Sequence, residues 1–347
     1  MLFRQIFILV IVAIFGTIGV AAFLKKKDKN EEQSRTTAFE VVSEPIEIEL
    51  YNEVSIASSY LTPEQPIVTS KKIPEESKEI SPISVEDLPE ANRIDEFFNK
   101  RDPRLPIVQT IVYKSRVSWQ KGRAAWIADY ASHYKTSRHF IARSLNGKAD
   151  YEKQDIGEGD RFNVFREDKD FEFYLLIDIL SSRMWFYCYD KDTNERVLLK
   201  TYAVGLGRPD DGSESGYLTP LGKYTLGDKI AVYRPKTMAF HHGEKIEMVR
   251  VFGTRWIPFG EEVSDCTASP KGYGIHGLPL SQNEKGELVE NTETLEKYES
   301  DGCIRMATED IEELFAIIIT KPTTVELVKG FHKATPPGEE AGDKIHH

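Results

Sequence analysis

The alternation of apolar and polar residues divides the chain into segments of different kinds. Ile6–Leu24 is an apolar run of nineteen residues without a charge, bounded by Arg4 and by the lysine cluster Lys25–Lys27. About twenty apolar residues cross the hydrocarbon core of a bilayer as a helix, so the run predicts a membrane anchor within residues 1–24. A cleaved export signal is the alternative, because the small residues Val20–Ala22 resemble a processing site.

Residues 25–100 follow with no sustained helical or strand period. Residues 25–96 hold seventeen acidic and nine basic residues, with prolines scattered among them. This composition predicts a solvated, disordered linker. A short amphipathic helix over Val85–Phe98 is compatible with the pattern. The tail at residues 332–347, which contains adjacent prolines, is also predicted to be disordered.

Residues 107–165 form the first predicted globular unit. Ile107–Tyr113 alternates and is rich in β-branched residues, which predicts a strand. Two helices follow, one over Ala124–Tyr134 and one that is capped by Thr136 and ends at Asn146–Gly147. A turn and a second strand close the unit, so the predicted order is β-α-α-β.

Residues 171–330 form a second unit in which strand patterns dominate. Three apolar runs separated by turn residues predict strands at Phe173–Ile179, Met184–Tyr189 and Val197–Val204. Consecutive hairpins imply antiparallel pairing. Only Ile311–Ile319 has helical spacing, with Thr308 or Asp310 as its cap. The predicted fold class is therefore mainly β (α+β), with a short C-terminal helix.

Composition and charge limit the classes of function. Hydrophobic residues make up 40% of the chain, which is enough for a packed core. The formal net charge of −11 argues against a nucleic-acid partner, because phosphate binding needs clustered Lys and Arg. Three cysteines are too few for a disulfide scaffold or a four-thiolate zinc site. Cys188 and Cys266 could pair or remain buried thiols, and we expect neither a metal nor a cofactor.

The candidate chemistry lies between Gly272 and Arg305. Cys303 follows Gly302. Gly277 directly follows His276, and Gly274 lies two residues before it. Acyl transfer by a thiol needs a base, and imidazole titrates in a suitable range. A glycine beside the nucleophile lets a substrate approach backbone N–H groups that stabilise an oxyanion. Trp256 could line the substrate groove.

The first unit resembles a diverged LysM domain. The resemblance rests on Ala125–Ala131 in the first helix, Leu145-Asn146 after the second, and the closing turn Gly159–Phe162. Val117–Gln120 replaces the family's usual opening motif. The resemblance implies binding of N-acetylglucosamine-containing glycans such as peptidoglycan, and the alternative is a packing module beneath the second unit.

The second unit resembles the L,D-transpeptidase catalytic domain of the YkuD type, a β-sandwich or barrel-like fold. The motifs that carry the resemblance are Val204–Gly207, Thr219–Tyr224, Ile275–Gly277 and Ser300–Arg305. The family cross-links peptidoglycan: a cysteine attacks the third residue of a tetrapeptide stem and releases D-alanine, and a second stem resolves the thioester.

The resemblance also implies a role for each site residue. Cys303 is the nucleophile, His276 the general base, and the carbonyl of Gly277 orients the imidazole. The N–H groups of Gly302 and Cys303 form the oxyanion hole. Arg305 steadies the site or binds a substrate carboxylate, and Ser300 shapes the loop.

Two features depart from the family pattern. Asp301 stands where the family usually has a histidine, and a carboxylate there could raise the pKa of the thiol. The segment between His276 and Ser300 is longer than usual and contains the polar run Gln282–Glu287, which we interpret as a surface loop rather than a lid.

The predicted function is that of an L,D-transpeptidase acting on peptidoglycan stem peptides and glycan strands. An L,D-carboxypeptidase and a catalytically lapsed wall-binding protein are the alternatives. The lysine cluster after the apolar run favours a cytoplasmic C-terminal side. The implied substrate lies outside the cytoplasm, so we expect an inner-membrane anchor with the catalytic domain in the periplasm, or export after cleavage.

Overall fold

The computed structural model describes residues 88–101, 105–151, 155–228, 230–241 and 243–341. The predicted anchor and most of the predicted linker lie outside this range. Within the described residues, no helix has the length and apolar character needed to cross a membrane.

The helices and strands are numbered here in chain order. They are α1 (Asp95–Phe98), β1 (Val108–Val112), α2 (Ile127–His133), α3 (Arg138–Asn146), β2 (Arg161–Phe165), β3 (Phe171–Asp178), β4 (Arg183–Asp190), β5 (Glu195–Ala203), β6 (Leu206–Gly207), β7 (Gly222–Leu226), β8 (Ala231–Val232), β9 (Met238–His241), β10 (Glu244–Glu247), α4 (Val249–Phe252), β11 (Arg255–Ser264), β12 (Gly274–Gly277), β13 (Leu280–Gln282), β14 (Leu288–Glu290), β15 (Tyr298–Ser300), β16 (Ile304–Met306), α5 (Thr308–Ile318), β17 (Thr323–Val328) and β18 (Glu339–Glu340). The hairpin segment Met238–Lys245, with β9 paired to β10, belongs to a separate compact unit.

The N-terminal module, residues 107–165, has the predicted order strand, helix, helix, strand. β1 and β2 pair antiparallel, from Val108 opposite Phe165 to Val112 opposite Arg161. The predicted cap of α3 is wrong by one residue: Ser137 Oγ, not Thr136, accepts the N–H of Phe140 at 2.9 Å. The Thr136 hydroxyl instead accepts the N–H of Phe165 at 2.9 Å, which ties the helix start to β2.

The end of the predicted linker packs into the core. Phe97 of α1 is fully buried, and its ring lies at centroid distances of 6.1–6.5 Å from the rings of Phe140, Phe165, Phe173 and Phe186. These residues come from the N-terminal module and from the following sheet. This helix lies within the segment Val85–Phe98, where the sequence allowed a short amphipathic helix, but the acidic composition of residues 25–100 did not indicate its burial.

The main sheet has ten strands among the described residues and mixed pairing. Its strand order is β16-β12-β11-β7-β17-β3-β4-β5-β18, with β8 also paired to β11. The predicted antiparallel hairpins β3–β4–β5 are confirmed. The sheet also contains parallel pairs that the hairpin pattern did not predict, β3 with β17 and β12 with β16. The fold is mainly β with a short helix, α5, near the C-terminus.

Helix α5 is capped from a distant part of the chain. Neither predicted local cap is present: the N-cap residue is Ala307, which offers no side-chain hydrogen bond. The carboxylate of Glu290, at the end of the β13–β14 hairpin, accepts the N–H of Thr308 at 2.7 Å. Asp310 lies in the first turn and binds Lys200 at 2.8 Å. A carboxylate at a helix N-terminus also interacts favourably with the helix dipole.

The described part of the C-terminal tail is folded, so the prediction of disorder from residue 332 is wrong up to residue 341. The ring of Phe331 packs 4.6 Å from Trp185, centroid to centroid. The strand Glu339–Glu340 pairs parallel with Glu195–Arg196. These contacts depend on a partner strand far away in the sequence, which the local Pro and Glu content could not indicate.

We predict that Phe97→Ala lowers the free energy of unfolding of the full chain by about 3–5 kcal/mol, because it opens a cavity in a fully buried aromatic cluster. Urea denaturation followed by far-UV circular dichroism measures this change. Phe240→Ala is the control, since Phe240 is 61% exposed and its removal should cost less than about 0.5 kcal/mol. Equal effects of the two variants would contradict the burial of α1.

Candidate active site

Three neighbouring strands bring the predicted site residues together. In the antiparallel pair β11–β12, Trp256 lies opposite His276. In the parallel pair β12–β16, His276 lies opposite Arg305. Residues directly opposite one another project from the same face of a sheet, and side chains alternate along each strand. Trp256, His276 and Arg305 therefore project from one face, and Cys303 lies directly before β16, two residues before Arg305.

Ser300 holds the loop that carries the nucleophile. Its hydroxyl donates to the carbonyl of Cys303 at 2.7 Å and accepts the N–H of Gly302 at 3.1 Å. Ser300 itself is buried. These bonds tie Ser300 to the loop, and they occupy one of the two N–H groups predicted to form the oxyanion hole. The Gly302 N–H already has an acceptor, which leaves the Cys303 N–H as the other predicted donor.

Glycines are sterically required on both sides of this loop. Gly302 has φ of 113°, and a Cβ there would lie 2.5 Å from Cε1 of Tyr273 and 2.7 Å from the carbonyl oxygen of Leu218. A Cβ on Gly207 would lie 2.9 Å from the Cα of Gly302. Thr219 joins the two glycines, because its hydroxyl accepts the N–H of Gly207 at 2.7 Å and donates to the carbonyl of Gly302 at 3.1 Å.

His276 is enclosed by protein. It is only 3% exposed, and its Nδ1 lies 2.7 Å from the carbonyl oxygen of Gly277, the contact expected from the sequence. A carbonyl only accepts, so Nδ1 carries the proton and Nε2 is the basic atom of the neutral ring. Burial lowers the pKa of His276 to about 4, against the opposing effect of the Gly277 carbonyl. The imidazole is therefore neutral at pH 7.

The Cys303 thiol is also in its neutral form. Desolvation raises the pKa of Cys303 to about 11, although the backbone of Gly274 and the charge of Arg305 act in the opposite direction. The thiol lies 3.5 Å from the carbonyl oxygen of Gly272, to which it donates. Burial disfavours both charged forms, so the resting pair is a thiol and a neutral imidazole rather than a thiolate and an imidazolium.

Asp301, the departure from the family histidine, points into solvent. Its side chain is 80% exposed and binds Arg208 at 2.6 Å. Its carboxylate raises the pKa of Cys303, and this effect is smaller than that of desolvation. The ion pair with Arg208 directs the carboxylate toward the outer surface of the loop.

Arg305 lies beside the thiol and is partly buried. Its backbone exchanges two hydrogen bonds with Gly205, at 2.8 and 2.9 Å, which fixes β16 against the segment before β6. Burial lowers the pKa of Arg305. Its Nε is buried and has no hydrogen-bond partner within the described residues. Arg305 puts a positive charge beside the nucleophile, and its binding of a substrate carboxylate stays a prediction.

Aromatic rings surround His276, and one of them belongs to Trp256, the residue predicted to line the substrate groove. Trp256 lies 5.9 Å from the imidazole, centroid to centroid, and Phe252 lies 5.3 Å from it. Tyr273 covers Gly302. Its place three residues before His276 in the same motif could have marked Tyr273 as a candidate. No sequence signal marked Phe252, because its contact with His276 depends on the turn between α4 and β11.

The remaining cysteines are free thiols. Cys188 is buried in the core, and the half-buried thiol of Cys266 donates to the carbonyl of Lys223 at 3.0 Å. Across the described residues, no cluster of His, Cys, Asp or Glu has a geometry that could hold a metal ion. The polar insert between His276 and Ser300 forms the hairpin β13–β14, which Asn283 closes by binding the N–H of Glu287 at 2.9 Å.

The segment that contains these residues matches a protein-family model. Residues 172–327 match the YkuD family model, an L,D-transpeptidase catalytic domain. The chain is also 29% identical over 137 residues to the candidate L,D-transpeptidase YqjB of Bacillus subtilis strain 168, an alignment that covers 37% of this chain and 63% of that protein.

Two solved structures that the chain is similar to come from Campylobacter jejuni and Mycobacterium tuberculosis. The helical cell shape determining protein Pgp2 from Campylobacter jejuni is 18% identical, with 49% of this chain and 51% of that chain covered and a TM-score of 0.31. An L,D-transpeptidase from Mycobacterium tuberculosis is 14% identical, with 50% and 75% covered and a TM-score of 0.27. The chain thus spans less than two thirds of YqjB and about half of Pgp2.

We predict that alkylation of Cys303 by iodoacetamide accelerates through the alkaline range and has no plateau between pH 7 and 9, because the pKa of the thiol is about 11. Peptide mass spectrometry of the full chain after timed alkylation measures the rate at each pH. The same chain in denaturant is the control, where the profile should follow an ordinary thiol pKa of about 8.5. A plateau of fast alkylation at neutral pH would show a thiolate and contradict the neutral pair.

We predict that Gly302→Ala displaces the nucleophile loop, because the new Cβ would overlap Tyr273 and the backbone of Leu218. The expected result is a free energy of unfolding lowered by about 2 kcal/mol or more, measured by urea denaturation. Gly286→Ala is the control, since Gly286 also has a positive φ, of 78°, but no atom lies within 4 Å of a Cβ there. A similar loss in both variants would assign the effect to backbone strain alone.

Proposed function

We propose that this chain is a peptidoglycan L,D-transpeptidase that forms cross-links through a thioester on Cys303. One observation carries the proposal: the parallel register of β12 and β16 sets His276 opposite Arg305, two residues after Cys303, within the region that matches the YkuD family. The buried imidazole hydrogen-bonded to the Gly277 carbonyl supports the assignment of His276 as the base.

The first half of the reaction is acylation. Cys303 Sγ attacks the carbonyl of the diamino acid at the third position of a tetrapeptide stem, and Nε2 of His276 takes the thiol proton. The tetrahedral intermediate collapses, the C–N bond breaks, and the imidazolium gives its proton to the departing amine of D-alanine. Because the resting pair is neutral, proton transfer accompanies the attack rather than preceding it.

The second half transfers the acyl group. The side-chain amine of a second stem attacks the thioester, the C–S bond breaks, and His276 passes the amine proton to the departing sulfur. The N–H of Cys303 stabilises the oxyanion in both halves, and the Gly302 N–H can join only if it releases Ser300. Arg305 binds a substrate carboxylate, and Trp256 lines the groove beside His276.

The N-terminal module and the preceding segment complete the proposal. The β-α-α-β order and its LysM-like motifs support binding of glycan strands. The apolar run Ile6–Leu24 supports an anchor in the inner membrane, or a cleaved export signal, with the catalytic domain on the periplasmic side. The intervening chain would let the domain reach the wall from the membrane.

We predict that a carbapenem, which acylates the thiol of this family, forms one covalent adduct on the full chain, located at Cys303. Intact-protein mass spectrometry detects the mass increase. Cys303→Ala should abolish the adduct, whereas Cys266→Ala, which removes another partly exposed thiol, should leave it unchanged. An adduct that persists in Cys303→Ala would assign the nucleophile to another residue.

Incubation with tetrapeptide muropeptides then separates transfer from hydrolysis. Cross-linked dimers with release of D-alanine are the expected products. Tripeptide without dimers would replace the proposal with the L,D-carboxypeptidase. The absence of both the adduct and any product would indicate a wall-binding protein without catalytic activity.

A further inference from the structure

Residues 252–256 form a collar around the catalytic histidine. The rings at its two ends, Phe252 and Trp256, lie 5.3 and 5.9 Å from the ring of His276. Between them, Gly253 has φ of 61° and lies so close to β12 that a Cβ would approach the carbon of the Gly277 carbonyl to 2.7 Å. The collar therefore touches both the imidazole and the residue whose carbonyl orients it.

The middle of the collar is anchored by a buried charge. Arg255 is only 1% exposed, and its guanidinium binds the carboxylate of Asp150. It also lies 3.7 Å from the carboxylate of Glu312 in α5 and donates to the carbonyl of Thr254 at 2.8 Å. Because side chains alternate along a strand, Arg255 is fixed on one face of β11 while Trp256 packs on His276 from the other.

Asp150 belongs to the N-terminal module, in the segment between α3 and β2. Besides Arg255, its carboxylate contacts His139 of α3, with one oxygen 3.2 Å from Nδ1 of that residue. Nearby, Arg143 of α3 lies 4.0 Å from Glu312. The module thus contacts the collar's anchor through Asp150 and contacts α5 through Arg143.

We propose that Asp150 is a positioning residue for the reaction: by binding Arg255 it holds the collar closed on His276. The N-terminal module is then part of the active-site scaffold, in addition to any role in binding the wall. A buried guanidinium that loses its partner is strongly destabilised and moves toward other acceptors or water. Movement of Arg255 displaces the two rings that exclude water from His276. The catalytic part of this inference rests on the proposed function, whereas the enclosure of His276 does not.

The test compares Asp150→Asn with Asp150→Glu in the full chain, by two measurements. The first is the pKa of His276, followed by NMR of 13C-labelled imidazoles, with His276→Gln to assign the resonance. The second is the rate of Cys303 acylation by a carbapenem as a function of pH. The first measurement does not depend on activity, so it tests the enclosure of His276 even if the chain is not acylated.

We expect Asp150→Asn to raise the pKa of His276 from about 4 toward its ordinary value of about 6.5, because water enters the loosened collar. Acylation requires the neutral imidazole, so the acid limb of the rate profile should move to higher pH with the pKa. Acylation at pH 7 should slow about tenfold or more, as expected for a displaced base. Asp150→Glu keeps the charge, so its His276 pKa and acylation rate should lie closer to the wild-type values than those of Asp150→Asn.

Asp168→Asn is the control, since it removes a carboxylate from an exposed ion pair with Arg166 and should change neither measurement. If Asp150→Asn does not fold, the double variant Asp150→Leu with Arg255→Met removes both charges of the pair, while Glu312 keeps Arg143 as a neighbouring cation. A folded variant, single or double, whose His276 pKa and acylation profile equal those of the wild type would overturn the proposal. If the wild-type chain is not acylated at all, the proposed function is rejected. The pKa comparison then still tests whether Asp150 keeps His276 enclosed.

Discussion

The parallel pairing of β12 with β16 is the constraint on which the candidate active site depends. It fixes His276 opposite Arg305, and Cys303 lies directly before β16, two residues before Arg305. A shift of one residue would turn the Arg305 side chain to the opposite face, because side chains alternate with a period of two. Gly205 and Arg305 exchange two backbone hydrogen bonds that hold β16 in this register from its other side.

Desolvation dominates the electrostatics of the site. It lowers the pKa of His276 and raises that of Cys303, and in each case it outweighs the neighbouring charges and hydrogen bonds. An enclosed site of this kind strengthens the interactions that form during the reaction, since few waters compete for them. The cost is that neither group is charged before the substrate arrives, so the nucleophile depends on a base that is correctly placed.

Contacts from distant parts of the chain hold the nucleophile loop and the surroundings of His276 in place. Thr219 joins the loop at Gly207 to the nucleophile loop at Gly302. Glu290 caps α5, whose Glu312 lies against Arg255. The buried aromatic cluster around Phe97 unites the N-terminal module and the main sheet in one core. The module, the sheet and the site are therefore parts of a single packed structure rather than independent pieces.

The sequence by itself determined the features that local chemistry can specify. A short run of residues was enough to predict the end of α3 at Gly147 and the hairpins β3–β4–β5. The same holds for the glycines near Cys303 and His276. Only the tertiary structure decided the burial of α1, the cap on α5, the folded tail and the link from Asp150 to Arg255. Each of these is a contact between residues far apart in the chain, and periodicity and composition report on neighbours along the sequence.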